Sequence, residues 1–205
     1  MFKKPYINSS SALVAGLVST GLAFCLSSVT SLAQDAGFEP SVNDFSCIRD
    51  MEPVRGFFVT NLLGDLEATL EVANSETGGT YPTGSLIQLV PTEAMIKREP
   101  GYNPLTNDWE FFELDVSNGE THIRVRGSDE VVNQFGGNCL ECHARAEPQW
   151  DMVCEQDHGC DPLPLTPAML SAIQKTDPRC EATELTEEEA EALQFLAAIR
   201  AASEN

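Results

Sequence analysis

Between about Val54 and Gly127, apolar residues recur at every second position in short runs parted by turn residues, the spacing of half-buried β-strands. The clearest unit is a hairpin. Trp109 to Val116 and Thr121 to Arg126 flank Ser117-Asn118-Gly119-Glu120, and Asn-Gly predicts a primed turn with both central residues at positive φ. Arg55 to Leu62 and Ser85 to Val90 read as further strands. The run Asp65 to Asn74 is open to two readings, since Leu66, Ala68, Leu70 and Val72 alternate as in a strand while the segment also tolerates a helix. Past residue 165 the character changes. Thr166-Pro167 opens a short apolar helix through Ile173, which Asp177-Pro178 ends. Thr186-Glu187-Glu188-Glu189 is a capping box before a last helix, Ala190 to Ala202, with Leu193, Phe195, Leu196 and Ile199 available to pack one face.

The amino terminus shows a third pattern. Lys3 and Lys4 precede an apolar stretch from Ala12 to Leu32 that closes on Ser31-Leu32-Ala33, which reads as a cleaved export signal over residues 1–33 with the mature chain starting near Gln34. A retained membrane anchor is the rival reading, which the many Ser and Gly residues and the small-residue site oppose. Cys25 follows Phe24, where a lipoprotein signal has a small residue, so it is assigned to the discarded segment. No later stretch is apolar enough to cross a bilayer, so the expected product is periplasmic or otherwise exported, without stable membrane association after cleavage. Loss of Lys3 and Lys4 leaves 10 basic against 32 acidic residues, a net charge of −22. Such a surface repels nucleic acid and anionic lipid; it either attracts a basic redox partner or simply keeps the chain dissolved.

The chemistry is concentrated in Cys139-Leu140-Glu141-Cys142-His143, a C-x-x-C-H run. On a helical turn the two thiols and the imidazole stand at i, i+3 and i+4 on one face. That spacing suits covalent attachment of one c-type haem, with a thioether from Cys139 and from Cys142 and with His143 as the proximal iron ligand. A dithiol redox pair or half of a zinc site are the alternatives, and neither finds its expected context: there is no βαβ pattern and no second ligand pair. Cys47, Cys154, Cys160 and Cys180 remain, an even number in an exported chain. Of their three pairings the favoured one joins Cys154 to Cys160 across a short loop and Cys47 to Cys180; a metal site of these cysteines with His158 lacks a matching ligand pattern.

The predicted fold is therefore α+β, a mainly antiparallel sheet with a C-terminal haem-attachment helix and a short helical tail: a haem domain over 34–165 and a helical extension over 166–205. A sheet of about a hundred residues ahead of the haem motif is unlike a small all-helical cytochrome. Over Arg55 to Trp150, with the Tyr81-Pro82-Thr83-Gly84 turn, the Trp109 strand, Gly136-Gly137 and Cys139 to His143, the chain resembles the cytochrome P-460 and cytochrome c'-beta family.

The resemblance implies one haem c per chain, a five-coordinate iron with an open distal site, a small nitrogen ligand such as nitric oxide, and a homodimer. One branch of that family cross-links a lysine to the porphyrin and oxidises hydroxylamine; the other lacks the link and binds nitric oxide behind an apolar wall. At the family's lysine position this chain has Gln88 and Leu89, which counts against hydroxylamine oxidation. After the leader there are only Lys97 and Lys175; Lys97 is the sole sensible cross-link candidate and otherwise reads as a solvated strand end beside Arg98 and Glu99. In Phe57-Phe58 and Phe111-Phe112 one member of each pair points to each sheet face, so one face is available to line the haem. A sixth ligand from His122, His158, Met152 or Met169 would instead make the protein an electron carrier with a redox partner. Arg124, Arg126 and Arg145 are candidates for the propionates or for ordinary salt bridges.

Overall fold

Six strands form one sheet: β1 (Glu52–Val54), β2 (Phe57–Asn61), β3 (Ser85–Gln88), β4 (Glu93–Lys97), β5 (Trp109–Asp115) and β6 (His122–Gly127). They lie side by side in chain order, and every neighbouring pair is antiparallel. The computed structural model describes residues 37–155 and 157–203; the leader, Cys25 and the expected start near Gln34 fall outside them. The expected strands are present with ends shifted by a residue or two, and β4 and the short β1 are additions. β4 follows a tight reversal at Pro91-Thr92, where the Glu93 N–H donates to the Val90 carbonyl at 3.3 Å.

The hairpin turn departs from the expectation. Asp115 pairs with His122, and between them only Gly119 is left-handed, at φ 78°, while its N–H donates to Val116 at 3.0 Å. A tight turn at Val116–Gly119 followed by a left-handed glycine relieves Asn118 of positive φ, and a bulge between Glu113 and Leu114 adds twist.

Side chains alternate across the sheet, and both faces are covered. One face gathers Phe57, Val59, Ile87, Met95, Trp109 and Phe111 into a buried cluster; the other gathers Leu86, Ala94, Ile96, Phe112 and Leu114 with Phe45 and, half-buried, Phe58. The two Phe pairs thus divide between the faces as period two requires. The helix reading of Asp65 to Asn74 is the correct one. In α1 (Leu66–Ala73) the buried residues Thr69 and Ala73 are four apart. Its docking is polar: the Thr69 hydroxyl accepts from Asn61 Nδ2 at 3.0 Å and lies 2.8 Å from the Ser85 hydroxyl.

The helical tail is fastened to the sheet. α3 (Pro167–Lys175) starts at the Thr166 cap, and its Gln174 amide donates to the carbonyls of Gly56 and Leu89 at 2.9 and 2.8 Å. Cys180 is disulfide-bonded to Cys47, and Asp177 accepts from the Ile48 N–H at 3.0 Å and from Arg179. The Thr186 capping box is formed in both directions, at 3.2 and 2.8 Å, ahead of α4 (Glu187–Ser203). Phe195 and Ile199 do not pack as expected; they are 56 % and 50 % exposed. The reason is length, since the nine residues of α3 cover about half of the seventeen of α4.

Candidate functional site

Val131, fully buried in the first cluster, anchors the approach to the C-x-x-C-H segment. The loop after it closes on itself: the Asn133 carboxamide oxygen accepts from the N–H groups of Phe135 and Gly137 at 3.0 and 2.9 Å, and the Cys139 N–H returns to the Val131 carbonyl at 3.0 Å. Asn138 then caps α2 (Cys139–His143) by accepting from the Glu141 N–H at 3.0 Å. The five-residue helix puts Cys139, Cys142 and His143 on one turn, as the spacing predicts, and Cys139 and Leu140 rest on the Phe111 face of the sheet.

His143 is held from two sides. Its ring centroid lies 5.2 Å from that of Phe111, and its Nδ1 is 2.7 Å from the Met152 carbonyl oxygen. A carbonyl can only accept, so Nδ1 carries the proton and Nε2 keeps its lone pair. Among the described residues Nε2 makes no hydrogen bond. Burial lowers the imidazole below its ordinary value, against the opposing Met152 contact, and keeps the ring neutral.

The Met152 carbonyl is positioned by a latch with no motif in the sequence. Asp151 and Met152 are both left-handed, at φ 48° and 66°, a reversal that non-glycine residues adopt only when the surroundings impose it. The Asp151 carboxylate accepts from Lys97 Nζ at 2.8 and 2.7 Å and from the Tyr81 N–H at 2.9 Å, and its backbone carbonyl accepts from Trp109 Nε1 at 2.7 Å. Lys97 is therefore no solvated strand end. It is 5 % exposed, donates also to the Asn107 carbonyl at 2.6 Å, and lies 5.0 Å from the Trp109 ring centroid. The β4–β5 register sets Lys97 opposite Trp109, on the face that also carries Phe111; the shared face of Trp109 and Phe111 was legible, whereas Lys97 on that face and Asp151 as its partner were not.

Both expected disulfides are present, Cys47–Cys180 and Cys154–Cys160. The sulfurs of the second lie 3.6 and 4.0 Å from the Cys142 carbonyl oxygen, so this bridge backs directly onto α2. His158 sits within its loop, stacked on Trp150 at 3.7 Å with Nδ1 3.0 Å from the Val153 carbonyl oxygen. His122 is exposed on β6, and Met169 is half-buried on α3. Arg126 points to the other face, engaged by Glu110 and the Pro40 carbonyl, while Arg145 pairs with Asp161 at the surface.

Cys139 and Cys142 are unpaired and half-buried. Burial, with the nearby charges of Glu93 and Glu113, pushes the Cys139 thiol up to about 12. A redox dithiol or a metal thiolate needs the opposite shift. No group of three or more His, Cys, Asp or Glu among the described residues is arranged to hold a metal ion. Beside Cys142 a shallow recess of about 240 Å³ opens between Asn138, Glu141, Arg145 and Leu163. No helix among the described residues is long and apolar enough to cross a membrane, and the two disulfides favour an oxidising, exported compartment. No family model, no curated protein and no solved structure matches this chain.

Proposed function

We propose that this chain is an exported, periplasmic-type c-type haem protein whose Cys139 and Cys142 form the two thioethers and whose His143 Nε2 is the proximal iron ligand. The observation that carries the reading is the pairing of two unpaired thiols on one helical turn with an imidazole whose Nδ1 is committed to the Met152 carbonyl and whose Nε2 is available. A backbone acceptor on the far nitrogen is what fixes a ligating histidine's tautomer and ring plane. Bound there, haem supplies an iron able to take a small ligand or an electron. The recess beside Cys142 is below the roughly 300–1,000 Å³ of ordinary ligand pockets, so seating a porphyrin requires the 161–163 segment to move, against one exposed Arg145–Asp161 pair.

The resemblance to the cytochrome P-460 and cytochrome c'-beta family, with Gln88 and Leu89 at the cross-linking position, favours the branch that binds nitric oxide or a similar nitrogen ligand at an open distal iron. The placement of Lys97 supports the same choice. Its ammonium has three donors, and Asp151 and the Asn107 carbonyl engage them in the dry interior, so attacking a porphyrin would first break that pair. Hydroxylamine or nitric oxide oxidation with a partner cytochrome, and a homodimer, are the further expectations of the resemblance.

The test is to produce the mature chain with a haem-maturation system, measure its denatured mass, and record ferric and ferrous spectra with and without nitric oxide. One covalently added haem and a five-coordinate ferrous spectrum that shifts with nitric oxide is the expected result. Absence of covalent haem overturns the whole reading; a low-spin spectrum indifferent to the gas makes the protein an electron carrier; a red-shifted Soret band with extra cross-linked mass restores Lys97 catalysis.

A further inference from the structure

Glu93 and Glu113 face each other across β4 and β5 on the sheet face that carries Phe111. Two carboxylates set directly opposite repel unless something neutralises one of them. Glu113 is 1 % exposed. Its Oε1 accepts from Arg124 Nη1 at 3.1 Å and from the Gln134 N–H at 3.2 Å, while Oε2 is buried without a hydrogen-bond partner. Glu93 Oε1 accepts from the Asn133 amide at 3.1 Å. A bare carboxylate oxygen shut away from water beside a second carboxylate is costly, and a proton on that oxygen removes both the charge and the orphaned acceptor.

The groups facing the pair are Arg124 from β6, Asn133 and Gln134 from the loop that leads into α2, and the Cys139 thiol from α2 itself. One guanidinium stands against two carboxylates, so a single proton completes the balance. Consistently, burial and the Glu93 charge raise Glu113 to about 7, over the opposing Gln134 and Arg124 contacts, and burial raises Glu93 as well.

We propose that Glu93 and Glu113 together form a one-proton site electrostatically coupled to the group that Cys139 attaches. The inference rests on the haem reading above. When an external reductant delivers one electron to the site, the positive charge beside Cys139 falls by one, and the pair takes up one proton from solvent; on oxidation by the partner the proton leaves. Charge is thereby nearly conserved in a buried region where an uncompensated change is expensive. Neither carboxylate is proposed as a ligand of that group. They act through charge alone, so they are positioning and not catalytic residues.

The experiment is a reduction-potential titration with soluble mediators on the mature holoprotein, haem content fixed by denatured mass, for the parent chain, Glu113→Gln and Glu93→Gln. In the parent the potential falls as pH rises through the neutral range, at a slope approaching a tenfold change in electron affinity per pH unit, 59 mV for one electron. Glu113→Gln loses most of that slope, because it removes the buried carboxyl that takes the proton, and Glu93→Gln moves the midpoint to lower pH, because it removes the neighbouring charge that helps to raise Glu113. Arg124→Gln keeps the slope and moves its midpoint to higher pH, which a merely structural role would not produce. Loaded variants whose curves run parallel to the parent overturn the proton site while leaving the haem reading intact. A parent without covalent haem overturns both, and the mass identifies that case.

Discussion

Lys97 and Asp151 form an ion pair with 7 % and 6 % of their side chains exposed, so neither charge has water to fall back on. Lys97→Met leaves the Asp151 carboxylate with only the Tyr81 N–H, and a loss of about 3–5 kcal/mol is expected in urea unfolding. Restoring neutrality with Lys97→Met plus Asp151→Asn should recover part of it, which separates the cost of a stranded charge from that of a lost contact. Glu113 gives the opposite linkage. Its folded-state pKa of about 7 stands above the ordinary value, so the folded state holds the extra proton and stability falls as pH rises from about 4.5 through 7. Glu113→Gln should therefore exceed the parent in stability at pH 8, by on the order of 1–3 kcal/mol, and the advantage should vanish at pH 4. Asp177 works from the other side. Burial opposes its charge, but Arg179 and the Ile48 N–H prevail and hold it below the ordinary range, so its contribution is lost as pH falls.

Elements meet the site through loops more than through strands. Gly78, at φ 81°, lies against the backbone of the 148–150 segment, and a Cβ there would overlap the Gln149 carbonyl oxygen, the same oxygen that accepts from the Gly79 N–H at 2.9 Å. Gly78→Ala should cost about 1–3 kcal/mol and raise amide exchange in residues 147–153, since strain and steric overlap coincide. The period-two pattern made β2, β3, β5 and β6 legible, and with them the face shared by Phe57, Phe111 and Glu113. It did not reach β4, because Pro91 and the charged Glu93 and Lys97 at both ends hid a five-residue strand. It could not decide α1 either, where the alternation of Leu66, Ala68, Leu70 and Val72 competes with the i, i+4 spacing of Thr69 and Ala73. In the site, the motif exposed Cys139, Cys142 and His143 because their chemistry is local. Asp151 and the Met152 carbonyl stayed hidden because a left-handed reversal and a backbone acceptor carry no side-chain signature.

At the scale of the molecule the sheet is sealed on one face by α1 and the α2 segment, while Phe45 and its neighbours cover the other, and the outer strands are β1 and β6. The Cys47–Cys180 bridge spans 133 residues and joins the approach to β1 with the end of the α3 segment. Replacing both cysteines with serine should destabilise the protein by about 5 kcal/mol on the chain-entropy account, measured as the fall in urea midpoint, roughly twice the loss expected from opening the six-residue Cys154–Cys160 ring. The bridge also sets a timetable. A polypeptide exported amino end first brings Cys47 into the oxidising compartment early, and the next cysteines to arrive are Cys139 and Cys142, ahead of its proper partner. Order of arrival alone thus offers the wrong mates first, and faithful maturation depends on keeping those two thiols out of the exchange, or on reshuffling afterwards, before the Cys47–Cys180 ring is closed.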